Sequence, residues 1–222
     1  GISTFRVAGG LWDKYPVEQV ATPEGYARNP EQVINFYNER RKQLLDVVPN
    51  AGHLGVADLE RDFNVTVVTQ NVDNLHERAG STHVIHLHGE LTKVCSSRDP
   101  YNPHFVKELA PEEYEVKLGD KAGDGTQLRP FIVWFGESVP EIETAIRYVE
   151  QADIFVIIGT SLNVYPAAGL LNYVPRAAEV YLIDPKPVDT HVMRPIHVIQ
   201  KGASEGVKEL KALLTVTQPP LP

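Results

Sequence analysis

The chain has 222 residues, 42% of them hydrophobic, and a formal net charge of −8; this suits one large domain or one domain with a smaller insertion and disfavours nucleic acid as a partner, because phosphate binding needs a basic face. No apolar run approaches the roughly 20 residues that a membrane-spanning helix needs, and the sequence opens with no signal-peptide pattern. The single cysteine, Cys95, excludes an intramolecular disulfide and fits a reducing compartment, so we expect a cytoplasmic protein with no membrane partner.

The first predicted elements are a helical region and a short strand. Residues 23–48 have a helical pattern, with Asn29-Pro30 as a start signal and Pro49-Asn50 as a stop signal. Residues 65–69 form a β-branched run that predicts a buried strand, and the chain then continues into a helix that ends at Gly80.

Three hydrogen-bonding side chains follow this strand directly: Gln70, Asn71 and Asp73. In open α/β sheets, ligands bind at the carboxyl ends of the strands. The sequence therefore predicts a binding site between this strand and the next helix.

A pair of histidines lies in the stretch "HVIHLHGEL", residues 83–91. If this stretch is a strand, His86 and His88 point to the same face. Two such histidines can bind zinc with a third ligand, one of them can act as a general base, or both can be hydrogen-bonded structural groups. Gly89 would allow a close backbone approach to a ligand beside His88.

The remaining chain alternates helices and strands. Residues 91–130 have weak periodicity and many Gly, Pro, Asp and Lys residues, helical patterns cover 141–151 and 165–174, and buried strands are predicted at 154–161 and 180–184. The first of these strands ends in Gly159-Thr160-Ser161, a turn that can approach a phosphate or ribose closely. The second ends in Asp184, where an acidic side chain often accepts ribose hydroxyls.

This order predicts an α/β fold, a Rossmann-like parallel sheet with helices on both faces plus a small inserted lobe. We assign residues 1–20, 51–90 and 131–214 to an NAD-binding domain of the Rossmann type. Residues 21–50 and 91–130 are assigned to the small lobe, and residues 215–222 to a frayed tail.

Seven motifs in this order resemble successive motifs of the sirtuins, which are NAD-dependent protein lysine deacylases. They are "STFR" (3–6), "GLW" (10–12), "TQNVDNLHERAG" (69–80), "HLHGEL" (86–91), "RPFIVWFGE" (129–137), "IIGTSLNVYPAAGL" (157–170) and "KGASEGVKEL" (201–210). The resemblance extends along nearly the whole chain. It implies NAD as cofactor, acylated lysine in proteins or peptides as substrate, and nicotinamide and O-acyl-ADP-ribose as products.

The resemblance also implies roles for individual residues. His88 matches the catalytic histidine, and Asn71 matches a catalytic residue of the nicotinamide pocket. The residues that match cofactor-binding positions are Phe5, Arg6, Gln70, Asn71, Asp73, Gly159, Thr160, Ser161, Asp184, Ala203 and Ser204. The residues that match the two strips pairing with the substrate backbone by β-augmentation are Val133, Trp134, Phe135, Gly136 and Glu137 on one side and Val164 and Tyr165 on the other.

The acyl preference is predicted from the helical region. Tyr37 and Arg40 stand three apart on one helical face, where Arg40 interrupts an apolar stripe. A guanidinium can grip a carboxylate through two hydrogen bonds, and the Tyr37 hydroxyl can add a third. The desuccinylase-type sirtuins carry such a Tyr-x-x-Arg pair with a small Ala nearby, which Ala21 matches, so we expect succinyl, malonyl or glutaryl lysine as substrates. The alternative is an ordinary surface Arg over a core Tyr.

The chain departs from its family in the inserted lobe. Most sirtuins hold a structural zinc there with two Cys-x-x-Cys pairs, but here Cys95 has Arg98 at the expected partner position and no second pair precedes Arg129. One thiolate without that spacing disfavours tetrahedral zinc, so we expect a lobe without metal. Its expected small core comprises Tyr101, Phe105 and Tyr114.

Sirtuins carry a first strand and a Gly-Ala-Gly turn before the "GISTFR" stretch, and that turn would hold the NAD phosphates. If this protein lacks the segment, we expect poor NAD affinity. The sequence thus leaves two alternatives to a deacylase, namely an ADP-ribosyltransferase that uses the same pocket and a non-catalytic module that binds NAD or acyl-lysine. A general base at His88 argues against the second of these.

Overall fold

A computed structural model of the protein describes residues 14–160, 167–189 and 192–216. The chain divides into two compact units. Unit 1 comprises the described residues up to Val48, Thr69–Asn74 and His86–Pro140. Unit 2 comprises Pro49–Val68, Leu75–Ile85 and the described residues from Glu141 onward.

The secondary structure follows the predicted alternation. The α-helices are α1 (Val17–Val20), α2 (Pro23–Arg28), α3 (Pro30–Leu45), α4 (Ala51–Asp58), α5 (Leu75–Ala79), α6 (Ile142–Val149) and α7 (Ala203–Val216). The strands are β1 (Val67–Thr69), β2 (Val84–His86), β3 (Gly89–Ser96), β4 (Lys107–Glu108), β5 (Leu128–Ile132), β6 (Ile154–Ile158), β7 (Glu179–Ile183) and β8 (His197–Ile199). Short 3₁₀ helices cover Leu59–Arg61, Pro103–Phe105, Pro111–Glu113 and Ala167–Tyr173.

Unit 2 is built on a parallel sheet in the order β6-β7-β8. Ile158 pairs with Ile183, and Ile183 pairs with Ile199, so the three strands end at one edge. Helices α4 and α7 contribute to the core of this unit, which contains Val56, Leu59, Tyr181, Ile183, Ile199, Val207, Leu210 and Leu214. The predicted α/β architecture with a Rossmann-like parallel sheet is confirmed.

Unit 1 contains an antiparallel sheet in the order β4-β3-β5 and the long helix α3. The side chain of Asn29 caps α3 by accepting a hydrogen bond from the Gln32 amide at 3.2 Å, and Pro30 occupies the first turn. A buried cluster of Ile34, Val94 and Val116 joins the helix to the sheet. Both predicted insertions, 21–50 and 91–130, lie largely in this unit, together with residues 14–20, 69–74, 86–90 and 131–140, for which the sequence predicts the NAD-binding domain.

Two expectations from the sequence are wrong. Residues 83–91 do not form one strand, because β2 ends at His86 and a turn carries His88 into Gly89. Gly89 has φ +87°, and a Cβ there would lie 2.1 Å from the Phe131 carbonyl oxygen, so the chain bends where only glycine fits. His86 and His88 are therefore not neighbours on one strand face.

The second correction concerns the core of the insertion. Its buried cluster is aliphatic, with Val94 and Val116 at its centre, and not the expected aromatic group of Tyr101, Phe105 and Tyr114. Tyr101 instead directs its hydroxyl to the Glu137 carboxylate at 2.9 Å. Tyr101 is partly buried, and a tyrosine hydroxyl in such a place gains from a polar partner that an aromatic core would not supply.

Among the described residues, no helix has the length and apolar character needed to cross a membrane. The predicted cytoplasmic location stays a prediction.

Candidate active site

The loop after β1 is tied to the segment that carries the two histidines. The Leu87 amide donates to the Thr69 carbonyl at 2.9 Å, and the Leu91 amide donates to the Val72 carbonyl at 2.7 Å. The Thr69 hydroxyl accepts from the Asn71 amide at 3.0 Å. These bonds fix the backbone that presents Gln70, Asn71 and Asp73, all in unit 1.

The hydrogen bond of His88 determines its tautomer. Nδ1 of His88 lies 3.2 Å from the Gln70 carbonyl oxygen. Because a carbonyl only accepts, Nδ1 must carry the proton. In the neutral ring the lone pair then lies on Nε2, the atom that a general base needs.

His86 has a different environment. Its side chain is 5% exposed, Nδ1 donates to the Asn71 carbonyl at 3.1 Å, and Nε2 lies 3.8 Å from a Glu90 carboxylate oxygen. A buried imidazole between a carbonyl and a carboxylate holds the loop in place. Of the three alternatives that the sequence left open, the structural one fits His86 and the general base fits His88.

Helix α3 carries the two residues predicted to bind the acyl group. Tyr37 is 3% exposed, its hydroxyl donates to the Val20 carbonyl at 2.9 Å, and its oxygen accepts from Trp134 Nε1 at 3.1 Å. Burial raises the pKa of Tyr37 to about 12, so the hydroxyl stays protonated. The single Tyr37 proton is thus already donated to a backbone oxygen.

Arg40 is 6% exposed, and its guanidinium carbon lies 6.0 Å from the centre of the Phe36 ring. Burial lowers the pKa of Arg40, and attraction from Tyr37 and from the Asp73 carboxylate partly offsets that effect. A charged guanidinium inside the protein gains strongly from an additional anionic partner. Ala21 is buried as well, with 7% exposure.

The segment 133–137 connects several of these residues through its backbone. The Val133 amide donates to the His88 carbonyl at 2.9 Å, and the Phe135 amide donates to the Ala21 carbonyl at 3.0 Å. A tight turn follows, in which the Glu137 amide donates to the Trp134 carbonyl at 3.0 Å and Gly136 has φ +90°. Phe135 is 63% exposed at the surface of this turn.

In unit 2, the carboxyl edge of the parallel sheet carries another group of predicted residues. The Gly159 amide donates to the Ile183 carbonyl at 3.0 Å, and the Asp184 amide donates to the Ile199 carbonyl at 3.2 Å. Gly159 has φ +64° and open space where a side chain would stand, so this turn leaves room for a ligand at the backbone. The Asp184 carboxylate accepts from the Lys186 amide at 2.8 Å.

Helix α7 begins shortly after β8 and carries Ala203 and Ser204 in its first turn. It packs closely on the sheet, since a Cβ on Gly206 would lie 2.2 Å from a methyl carbon of Ile183. Backbone amides at a helix start attract anionic or polar ligand groups. Gly159, Asp184 and the start of α7 therefore supply donors and acceptors that suit a nucleotide.

The lone cysteine lies in the interior of unit 1. Cys95 has no exposed surface, its thiol donates to the Pro130 carbonyl at 3.7 Å, and burial raises its pKa to about 12. A neutral thiol is a poor zinc ligand. The next residue, Ser96, donates to the Asp124 carboxylate at 2.5 Å and accepts from the amides of Arg98 and Asp99 at 3.0 and 2.9 Å.

Comparison with known proteins identifies the family. The profile of the Sir2 family matches residues 1–166. The chain belongs to the Sir2 family. It is 84% identical over 214 residues to an NAD-dependent protein deacylase of Bacteroides thetaiotaomicron, covering 96% of this chain and 92% of that relative. It is 47% identical over 210 residues to an NAD-dependent protein deacylase of Helicobacter pylori, covering 95% and 89%.

Solved Sir2 structures share the fold. A Sir2 homologue in complex with NAD is 36% identical, with a TM-score of 0.80 and coverage of 97% of this chain and 84% of that one. A Sir2 complex with a p53 peptide and NAD⁺ is 26% identical, with a TM-score of 0.69 and coverage of 86% and 81%.

The Sir2 site residues predicted from the sequence divide into three groups. In unit 1 the structure places Ala21, Tyr37, Arg40, Gln70, Asn71, Asp73, His88 and the strip 133–137. In unit 2 it places Gly159, Thr160, Asp184, Ala203 and Ser204. Phe5, Arg6, Ser161, Val164 and Tyr165 lie outside the described residues.

Arg129 is a further residue of this region that the sequence patterns did not predict. This side chain is 4% exposed, and its Nη1 donates to the Glu137 carboxylate at 2.9 Å. The two residues stand at opposite ends of the "RPFIVWFGE" motif, eight positions apart, a separation that matches neither a helical nor a cross-strand pairing rule. Opposite charges at the ends of one motif were the available signal.

Proposed function

We propose that the protein is an NAD-dependent protein lysine deacylase that removes acidic acyl groups, namely succinyl, malonyl and glutaryl, with acetyl-lysine as a poorer substrate. Membership of the Sir2 family and the deacylases among its relatives support NAD-dependent deacylation. The observation that carries the catalytic assignment is the hydrogen bond from His88 Nδ1 to the Gln70 carbonyl, because it leaves Nε2 as the basic atom.

The residues present fit NAD in the chemistry of their donors and acceptors. Asn71 and Asp73 provide an amide and a carboxylate that can bind a carboxamide, and Gln70 can bind a ribose hydroxyl. In unit 2, Asp184 can accept ribose hydroxyls, and Gly159 offers an open backbone turn. When bound, NAD supplies a ribose carbon that is open to attack and nicotinamide as the leaving group. His88 Nε2 removes a proton from a hydroxyl group during the reaction.

The preference for acidic acyl groups rests on Arg40. Its guanidinium is buried and its pKa is lowered by that burial. Burial destabilises the charged form of the guanidinium. A carboxylate at the end of an acyl chain would stabilise that charged form by pairing with it. Tyr37 supports this site indirectly, because its hydroxyl proton is donated to Val20.

The strip 133–137 is proposed to bind the peptide backbone of the substrate. The amides of Val133, Trp134 and Phe135 already donate to oxygens within the protein. An extended peptide would therefore pair with the carbonyl oxygens of this strip, which accept from peptide N–H groups. The exposed Phe135 ring adds apolar surface for a substrate side chain.

The decisive experiment measures nicotinamide release from NAD with matched succinyl-lysine and acetyl-lysine peptides. We expect succinyl-dependent release, and we expect His88→Tyr to abolish turnover with both peptides while the fold is retained. Release that needs no acyl peptide would indicate a glycohydrolase or ADP-ribosyltransferase instead. Full activity of His88→Tyr would refute the catalytic assignment.

The acyl preference is tested by Arg40→Met. We expect kcat/KM for the succinyl peptide to fall roughly 100-fold relative to kcat/KM for the acetyl peptide, because a bidentate charge-assisted contact is lost. Arg40→Lys should have a succinyl-to-acetyl ratio of kcat/KM between those of Arg40→Met and the wild type. Lysine keeps the positive charge but cannot donate two parallel hydrogen bonds to a carboxylate. The exposed Arg28→Met is the matched control and should leave the ratio unchanged. Equal losses with both peptides in Arg40→Met would mean that Arg40 is structural.

A further inference from the structure

A compact cluster of polar side chains lies behind the turn Trp134–Glu137. The Glu137 carboxylate is 14% exposed and accepts four hydrogen bonds. Its Oε1 accepts from the Trp134 amide at 2.8 Å, from the Tyr101 hydroxyl at 2.9 Å and from Arg129 Nη2 at 3.0 Å, and its Oε2 accepts from Arg129 Nη1 at 2.9 Å. Both oxygens of this carboxylate thus accept hydrogen bonds from within the protein.

Arg129 fixes the turn from the other side. It is 4% exposed, Nη2 also donates to the Ile132 carbonyl at 2.8 Å, and its guanidinium carbon lies 3.8 Å from the centre of the Trp134 ring. A guanidinium that is stacked on an indole and paired bidentately with a carboxylate has little rotational freedom. Arg129 and Glu137 therefore hold both the backbone and the ring of Trp134.

The turn Trp134–Glu137 and the preceding Val133 are hydrogen-bonded to residues of the proposed acyl-lysine site. Trp134 Nε1 donates to the Tyr37 hydroxyl at 3.1 Å, the Phe135 amide donates to the Ala21 carbonyl at 3.0 Å, and the Val133 amide donates to the His88 carbonyl at 2.9 Å. The strip 133–137 thus contacts Tyr37 and Ala21, which are proposed to line the acyl site, and the backbone of His88.

Tyr101 brings the inserted segment into this arrangement. Like Arg129, it belongs to the region 91–130, and its ring also lies edge-on to Phe131 with 6.1 Å between ring centres. Its hydroxyl donates to Glu137. Tyr101→Phe therefore removes one hydrogen bond between the region 91–130 and the substrate strip with little change in side-chain size, while Arg129 keeps its two bonds to Glu137.

We propose that Tyr101, Arg129 and Glu137 form a positioning cluster that determines how acyl-lysine peptides bind. The inference rests on the proposed deacylase function and assigns to Glu137 a different role from the substrate contact expected from the sequence. None of the three is a catalytic residue. They act through Trp134 and through the backbone of the strip 133–137.

The test compares Tyr101→Phe and Glu137→Gln with wild type. Calorimetry measures the affinity for a succinyl-lysine peptide and, separately, the affinity for ADP-ribose, which stands in for the nucleotide part of NAD. Turnover is measured as KM and kcat. We expect Glu137→Gln to weaken peptide binding about tenfold and Tyr101→Phe about threefold, because a small misplacement of a binding strip is costly. Affinity for ADP-ribose should stay within about twofold of wild type in both variants.

The matched control is Glu60→Gln in unit 2. Glu60 also accepts hydrogen bonds, from the Thr82 amide at 3.2 Å and from the Thr82 hydroxyl at 2.6 Å. It has no role in the proposed site. It should leave both affinities unchanged. Thermal midpoints of all variants separate a loss of stability from a loss of peptide affinity.

Unchanged peptide affinity in Tyr101→Phe and Glu137→Gln, or equal losses for peptide and ADP-ribose, would overturn the inference. If Glu137→Gln does not fold, Tyr101→Phe decides alone. Peptide binding without turnover in the wild type would contradict the proposed function, whereas the binding comparison would still decide on the cluster.

Discussion

Arg40 and Arg41 are adjacent in helix α3 and are about equally buried, but their surroundings differ. Arg41 is 4% exposed, and its Nε donates to the Tyr114 carbonyl at 2.7 Å while Nη2 donates to Asn38 Oδ1 at 2.6 Å. Asn38 also bonds the backbone of Val116 in both directions, at 2.8 and 2.9 Å. Arg41 thus attaches the insertion 91–130 to the helix, and burial lowers its pKa to about 10.

Arg40 lies next to Arg41 in the same helix but has other neighbours. Its electrostatic partners are Tyr37 and Asp73, which are residues of the proposed site. We call the group of Ala21, Tyr37, Arg40 and Trp134 the acyl side, and the group of Asn38, Arg41, Cys95, Ser96 and Asp124 the insertion side. Burial alone therefore does not determine the role of a buried arginine. Arg41 donates to the Tyr114 carbonyl and to the Asn38 side chain, whereas Arg40 interacts electrostatically with residues of the proposed ligand site.

The largest expected difference between the two sides is in stability. Arg41→Met should lower the free energy of unfolding by about 3 kcal/mol, because the Tyr114 carbonyl and the Asn38 side chain lose a buried donor. Arg40→Met should change it by less than about 1 kcal/mol, since the lost contacts are offset by removal of a desolvated charge. Urea unfolding monitored by fluorescence measures both. Equal destabilisation by the two variants would remove the distinction between the sides.

Tyr37→Phe tests whether the Tyr37 hydroxyl on the acyl side contributes to the preference for acidic acyl groups. The variant leaves the Val20 carbonyl and Trp134 Nε1 without their present partner, and it should cost about 1–2 kcal/mol of stability. Because the Tyr37 proton is donated to Val20, we expect kcat/KM to fall by similar factors with succinyl and acetyl peptides. A selective loss with the succinyl peptide would show that the hydroxyl turns toward the ligand, as the sequence suggested.

The insertion side should lose stability in alkaline solution. Burial raises the pKa of Cys95 from 9.0 to about 12, so the unfolded chain loses this proton before the folded protein does. Stability is therefore complete below about pH 9 and falls above it by up to roughly 1.4 kcal/mol per pH unit until about pH 12. Tyr37 on the acyl side adds the same trend from about pH 10.

Cys95→Ala provides the control for this pH dependence. The variant is less stable at neutral pH because it leaves a cavity, but its stability should decline less steeply just above about pH 9. The measurement is the urea midpoint of both proteins at several alkaline pH values. Parallel pH profiles would mean that Cys95 does not titrate in this way.

Much of this arrangement could be predicted from local sequence patterns. The strand ends at Gly159 and Asp184 follow apolar runs without alternation, and parallel pairing places such ends at one edge. Asn29-Pro30 marks the start of α3 because both residues act within one helical turn. The family motifs give the histidine that can act as a base.

The rest depends on contacts between distant segments. The tautomer of His88 depends on the Gln70 carbonyl, eighteen positions away. The different roles of Arg40 and Arg41 depend on which distant oxygens reach each guanidinium, and the Tyr101–Glu137 bond spans thirty-six positions. Helical spacing predicts which residues of α3 share a face, but it does not predict which distant residues contact that face. The structural role of Arg41 was therefore not predictable from the sequence pattern.

The smallest expected effects concern the hydrogen bonds of the insertion side and the prediction that it binds no metal. The Asp124 carboxylate accepts from Ser96 and from the Thr126 hydroxyl at 2.7 Å, and the bond from Ser96 is the main reason that its pKa is lowered from 3.8 to about 2. A lowered carboxyl pKa stabilises the fold above about pH 4, and this stability is lost as the pH falls toward 2.

Asp124→Ala should therefore lower the thermal midpoint modestly at neutral pH and flatten its decline in acid. Asp124→Asn keeps an acceptor and should lose less. If the insertion binds no zinc, as the sequence predicts, a chelator should leave the midpoint of the wild type unchanged. A midpoint that falls with chelator and returns with zinc would contradict this prediction and make Cys95 a metal ligand.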